Sequence, residues 1–216
     1  MAEPKLDYVV VEGPIGVGKS RLAEALAERL GATPLLERSQ ENPFLERFYK
    51  NPREGAFPAQ LFFLMQRAEM LAGMRQNDLF APRHVADFLF AKDRLFAELN
   101  LDSHEFGLYD RVWQTLAPSM PAPDLVVYLQ APADLLQARL RRHASGAGRQ
   151  LDIDYLERLA GAYVDFFHHY AESPVLIVNA AAFDPLEKAD HLERLIEEMT
   201  RARTARHYFN PEKGVL

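Results

Sequence analysis

Gly13-Pro14-Ile15-Gly16-Val17-Gly18-Lys19-Ser20 has the spacing G-x-x-x-x-G-K-[ST]. Glycines at such positions let the backbone wrap closely, so that successive N–H groups point at phosphate oxygens. A helix opening at Lys19 adds partial positive charge from its N-terminus. The Lys19 ammonium suits the β- and γ-phosphates of a nucleotide, and the Ser20 hydroxyl suits Mg²⁺. The chemistry of such a loop is nucleotide binding, with hydrolysis or phosphoryl transfer. The sequence carries neither an Asn-Lys-x-Asp guanine reader nor a Leu-Ser-Gly-Gly-Gln signature. Small-molecule phosphoryl transfer is the class best supported.

Such a reaction needs a carboxylate near Mg²⁺, a base near the acceptor, and cations on the transferring group. Asp87 closes the short apolar run His84-Val85-Ala86 and is placed to hold Mg²⁺ or its waters, unless it is a plain turn aspartate. Glu37 follows Leu35-Leu36 and could accept the proton of an attacking hydroxyl; position alone does not set it apart from any strand-end glutamate. Gln60 and Arg67 are seven residues apart, two helical turns, and share a face, with Phe63 and Leu64 between them as an apolar wall. A glutamine offers a donor and an acceptor side by side, matching the edge of an adenine; the bland alternative is a polar face in solvent. Arg139 and Arg142 also share a helical face and precede the small-residue stretch Ala144-Ser145-Gly146-Ala147-Gly148, as a lid that closes on phosphates would. His168 and His169 diverge around their helix and read as one packed and one solvated residue. Trp113 reads as packing, and Glu193, Glu197 and Glu198 as a solvated face.

These residues need a scaffold that alternates strands and helices. Tyr8 to Val11, Pro34 to Leu36, His84 to Asp87, Leu125 to Leu129 and Val175 to Val178 read as five strands, continuously apolar as buried parallel strands are. Lys19 to Leu30, Phe57 to Met74, Asp93 to Asn100, Glu105 to Leu116, Pro132 to Arg142, Ile153 to Tyr170 and Leu186 to Arg203 read as helices, with Gly31 stopping the first. The pattern predicts a three-layer α/β domain with a five-stranded parallel sheet flanked by helices. No repeat or linker divides positions 1–216. The lid is expected at about 139–150, and the polar tail after about 204 is expected to be loosely held.

At 216 residues the chain suits one domain with a full core. A net charge of −6 argues against duplex nucleic acid as a partner. The clustered Arg139, Arg141, Arg142 and Arg149 point to a small anion, or to a solvated helix face. The absence of cysteine excludes disulfides and thiolate metal sites and fits a reducing compartment. Without an apolar leader or a membrane-length apolar run, no membrane partner is expected, and the sequence reads as cytoplasmic.

Several segments, in order, resemble the deoxynucleoside kinase family, particularly its bacterial deoxyadenosine and deoxyguanosine kinases. They run from Glu12 to Ser20, then Glu41-Asn42-Pro43-Phe44-Leu45-Glu46-Arg47-Phe48-Tyr49 and Gln60-Leu61-Phe62-Phe63-Leu64-Met65-Gln66-Arg67. Ala86-Asp87-Phe88-Leu89-Phe90-Ala91-Lys92-Asp93, Val127-Tyr128-Leu129-Gln130-Ala131-Pro132 and Phe166-Phe167-His168-His169-Tyr170 follow. The resemblance, from Val9 to about Asn179, implies a P-loop fold that moves the γ-phosphate of ATP onto the 5′-hydroxyl of a deoxynucleoside. It implies Glu37 as the base, Gln60 on the nucleobase, and Asp87 with Mg²⁺. The Arg67 and Asp93 pair implies a purine, with deoxycytidine possible. Tyr49 is implied at the sugar 3′-hydroxyl, and Arg139 and Arg142 in the lid over the phosphates. A homodimer is expected by resemblance only.

Two positions depart from the family. Phe88 stands where many relatives have an arginine at the reacting centre; Lys92 and Arg149 are the candidate replacements. Near Gly148 no carboxylate stands where relatives often have one for the sugar. These departures keep open a catalytically weak ATP-binding regulator. A nucleoside monophosphate kinase of the thymidylate kinase type would instead need a cationic site for the acceptor's own phosphate.

Overall fold

Side chains alternate across a strand, so a run that is apolar at every position must be covered on both sides. The computed structural model shows this for four of the runs above; the exception is Pro34 to Leu36, where the strand is Thr33–Leu35, at the sheet edge and largely exposed. It describes residues 6–77, 83–143, 148, 151–183, 188–202 and 206–210. The strands are Tyr8–Glu12 (β1), Thr33–Leu35 (β2), His84–Ala86 (β3), Leu125–Gln130 (β4), Val175–Asn179 (β5) and Arg206–Phe209 (β6). The helices are Lys19–Leu30 (α1), Leu45–Lys50 (α2), Pro52–Asn77 (α3), Asp93–Asn100 (α4), Ser103–Leu116 (α5), Ala133–His143 (α6), Ile153–His169 (α7) and Ala189–Arg201 (α8).

The sheet is parallel, in the order β2-β3-β1-β4-β5-β6. Val9, Val11, Leu125, Val127, Leu176 and Val178 face a core shared with Leu22 and Leu26 of α1, Leu136 and Leu140 of α6, and Leu195 and Met199 of α8. Tyr8, Val10, Val126, Tyr128, Val175 and Ile177 face a second core, built with α3, α4, α5 and α7. The three-layer α/β fold is as expected.

The sheet has six strands, not five. Arg206-His207-Tyr208-Phe209 pairs in parallel with Val175 to Val178, so this part of the tail is held in the sheet. An edge strand needs no continuous apolar run, because charged and polar residues there discourage further pairing. Phe209 is buried against Phe183, while Tyr208 is 74% exposed. Positions 203–205 and 211–216 lie outside the described residues, as do 144–147 and 149–150 of the expected lid, Arg149 among them.

α3 is longer than expected at both ends. Pro52 occupies its first position, where the missing N–H costs nothing. The Asn51 carbonyl accepts from the N–H groups of Glu54 and Gly55, and the helix runs on through Pro58. α5 starts two residues early because Asp102 and Glu105 form a reciprocal capping box. α2 lies directly on α3: a Cβ on Gly55 would stand 2.3 Å from the Phe48 nitrogen and 2.4 Å from its Cα.

Candidate active site

In an open parallel sheet, ligands bind at the carboxyl ends of the strands. The turn from β1 into α1 sits there. Gly16 (φ 82°) and Gly18 (φ 104°) adopt left-handed backbone that side chains disfavour. A Cβ at Gly16 would also meet Leu140 Cγ at 2.7 Å. Lys19 Nζ folds back over its own loop and donates to the carbonyls of Gly13 (2.8 Å) and Pro14 (3.4 Å). Ile15, Gly16, Val17, Gly18, Lys19 and Ser20 line one end of a cavity of about 740 Å³, within the usual range for ligand sites.

Asp87, at the end of β3, joins two of the expected roles. Its Oδ2 accepts from Ser20 Oγ at 2.5 Å, and its Oδ1 from the Glu37 backbone N–H at 2.7 Å. Burial raises its pKa above the ordinary aspartate value, against the pull of these two hydrogen bonds. The second bond also fixes where β2 delivers Glu37.

Glu37 sits in the same cavity, its side chain 20% exposed. Its Oε2 accepts from Arg67 Nε at 2.7 Å and also from Arg67 Nη2. Arg67 Nη1 donates to Asp93. One guanidinium, stacked 5.1 Å over the Phe63 ring, therefore ties two carboxylates together. Burial would raise the Glu37 pKa, but the charges of Arg67, Lys92 and Lys19 outweigh it and hold the carboxyl below its ordinary value. Asp93 is fully buried behind Arg67 and does not line the cavity. Burial holds it above the ordinary aspartate range, with Arg67 opposing.

Gln60, Phe63 and Tyr49 line the cavity wall on α3 and α2. Gln60 is buried, yet among the described residues its amide has no protein hydrogen-bond partner. Asn42 holds the loop before α2 in place: its Nδ2 donates to the Ala59 carbonyl and its Oδ1 accepts from the Phe44 N–H. Arg139 and Arg142 of α6 also line the cavity, on the side of the phosphate loop. Arg139 donates to the carbonyls of Val17 and Ala180, both at 2.9 Å, and so braces the phosphate loop. Arg142 is exposed at the mouth.

Sequence reasoning gave no role to Glu12. It ends β1 fully buried and accepts from the N–H groups of Gly13 and Leu89, each at 2.8 Å, and from Tyr163 Oη at 2.9 Å. The signal was visible: a carboxylate closing an otherwise apolar strand, immediately before the glycine-rich turn. Lys92, one of two candidates for the missing cation, is buried and lines the cavity. Phe88, where the arginine was missed, is fully buried in the second core.

The deoxynucleoside kinase family model matches residues 9–202, most of the chain. The chain belongs to the deoxynucleoside kinase family. The kinase is 31% identical over 157 residues to a deoxyguanosine kinase of Bacillus subtilis, covering 72% of this chain and 76% of that protein. It is 28% identical over 200 residues to a deoxyadenosine kinase of Dictyostelium discoideum, covering 89% and 80%. Its fold superposes on deoxyadenosine kinase from M. mycoides, solved with dCMP and dCDP, with a TM-score of 0.79 at 20% identity over 90% of this chain and 99% of that one. The enzyme phosphorylates the 5′-hydroxyl of a nucleoside. Among the described residues, no helix is long and apolar enough to cross a membrane.

Proposed function

We propose that the kinase transfers the γ-phosphoryl group of ATP to the 5′-hydroxyl of a purine deoxynucleoside, deoxyadenosine or deoxyguanosine. The observation that carries this reading is the Arg67 guanidinium, which pairs with Glu37 in the cavity that the phosphate loop also lines and is held from behind by the buried Asp93. A base lying on Phe63 would meet the free Gln60 amide, with Arg67 beside it and Asp93 orienting Arg67 from behind. Tyr49 is within reach of the sugar. Glu37, ionised at neutral pH, accepts the 5′-hydroxyl proton as the hydroxyl oxygen attacks phosphorus. Lys19 leaves its loop carbonyls for the phosphates, and Arg142 approaches them from the mouth, while Arg139 keeps Val17 in place.

Ser20 Oγ and Asp87 Oδ2 lie in contact beside Lys19. They are hard oxygen donors of the kind Mg²⁺ takes when substrate phosphates and waters complete its shell. These two residues would hold the ion, which when bound neutralises charge on the phosphates. A homodimer and a cytoplasmic location belong to the same reading and rest on the family resemblance and the composition.

The test is ADP release with Mg-ATP and each of the four deoxynucleosides, beside Glu37→Gln. Turnover should be fastest with deoxyadenosine or deoxyguanosine, and the variant should lose about 10²–10⁴ in kcat while still binding ATP. A monophosphate outcompeting every nucleoside as acceptor would overturn the assignment.

A further inference from the structure

Lys92 brings an ammonium into the active-site cavity with its hydrogen-bonding capacity unspent. The Phe90–Lys92 turn folds the chain inward five residues after Asp87, and the Lys92 side chain is 4% exposed. An ammonium has three donors. Among the described residues its nearest carboxylate is Glu12, whose Oε2 lies 3.9 Å away, beyond hydrogen-bond range. Glu12 is already engaged by Gly13, Leu89 and Tyr163. The other compensation is the face of Phe96, 4.5 Å from Nζ. Burying a cation costs several kcal/mol unless partners satisfy it, so this ammonium lacks an anion on the cavity side. Its electrostatic neighbours are Arg67, Glu12, Glu37, Lys19 and Asp93. Lys92 lines the cavity together with Lys19 of the phosphate loop and with Glu37, Phe63 and Arg67.

We infer that Lys92 is a catalytic residue of the kinase: its ammonium contacts the transferring phosphoryl group and supplies the cation that the buried Phe88 cannot. The inference rests on the function proposed above. As the 5′-oxygen bonds to the γ-phosphorus, the bond from phosphorus to the β–γ bridging oxygen breaks and its electron pair leaves with ADP. The hydroxyl proton passes to Glu37. Burial lowers the Lys92 pKa below the ordinary lysine value; the anionic phosphates beside it favour its charged form, and the ammonium neutralises charge on the phosphoryl oxygens as the group transfers. Glu12, held from three sides, positions the lysine.

Lys92→Met removes the charge and keeps the length. It should lower kcat by about 10²–10³, with the KM for the deoxynucleoside within about threefold of wild type. Lys92→Ala should recover part of its kcat on addition of ethylammonium, which a role in packing alone would not give. A Lys92→Met kcat within threefold of wild type would overturn the inference while leaving the kinase assignment intact. Should either variant fold poorly, the wild-type enzyme labelled at its lysine ε-carbons decides. Adding ADP–aluminium fluoride with deoxyguanosine should shift the Lys92 resonance, and an unmoved resonance refutes the contact. A wild-type chain silent on all four deoxynucleosides would remove the proposed function and this inference together.

Discussion

In the proposed reaction Glu37 has to stay ionised to take a proton, yet be basic enough to want one, and its pairing with Arg67 would set that balance. The pairing lowers the affinity of Glu37 for protons in the folded state relative to the unfolded chain. By linkage, the ionised carboxylate then contributes stability that is complete above the unfolded value, about pH 4.3, and is lost as pH falls through the lower folded value. Glu37→Gln removes this contribution. Urea unfolding should therefore show a larger stability gap between wild type and variant at pH 7 than at pH 3.5. A gap that widens on acidification would mean that Arg67 does not hold the charge. Glu37 was legible in the sequence only through its family position. Its partner Arg67 was legible by helical spacing from Gln60, but the bond between them depends on how β2 and α3 meet, which no local pattern encodes.

At the level of elements, the contact between α2 and α3 decides where Tyr49 and the Phe48 ring stand. Gly55 permits it, because any side chain there would strike the Phe48 backbone. Gly55→Ala should push α2 off α3 and cost about 1–3 kcal/mol, as overpacking does. The KM for the deoxynucleoside should rise several-fold and the KM for ATP stay nearly constant, readable by thermal melts and steady-state kinetics. Equal changes in both KM values would refute a local effect. The four interior strands, β1, β3, β4 and β5, were legible because burial on both faces forces unbroken apolar runs, and the edge strand β2 was legible only as the short run Pro34-Leu35-Leu36. β6 was not, because an edge strand is half solvated and its alternation of Arg206, His207, Tyr208 and Phe209 looks like a tail. The start of α3 was hidden by Pro58, which reads as a boundary, whereas Pro52 and Asn51 make the true one. α2 was missed because six residues are too short to show a period.

Across the whole molecule, one sheet separates two cores and belongs to both. Val9 and Val11 pack towards α1, α6 and α8, and Tyr8 and Val10 towards α3, α4, α5 and α7. Such shared strands should make unfolding a single event. Leu26→Ala, on the α1 side, should cost about 2–5 kcal/mol. It should shift the transition seen by Trp113 fluorescence, on the opposite side, as far as the one seen by circular dichroism. Separate transitions would show that the two cores unfold independently. The same partition bears on how such enzymes diversify. Lys19, Ser20 and Arg139 stand on the helices of one side, and Gln60, Phe63 and Arg67 on a helix of the other. On the proposed assignment, a lineage can thus exchange the acceptor wall residue by residue while the donor machinery stays untouched, and a new substrate requires rebuilding only one side of the molecule.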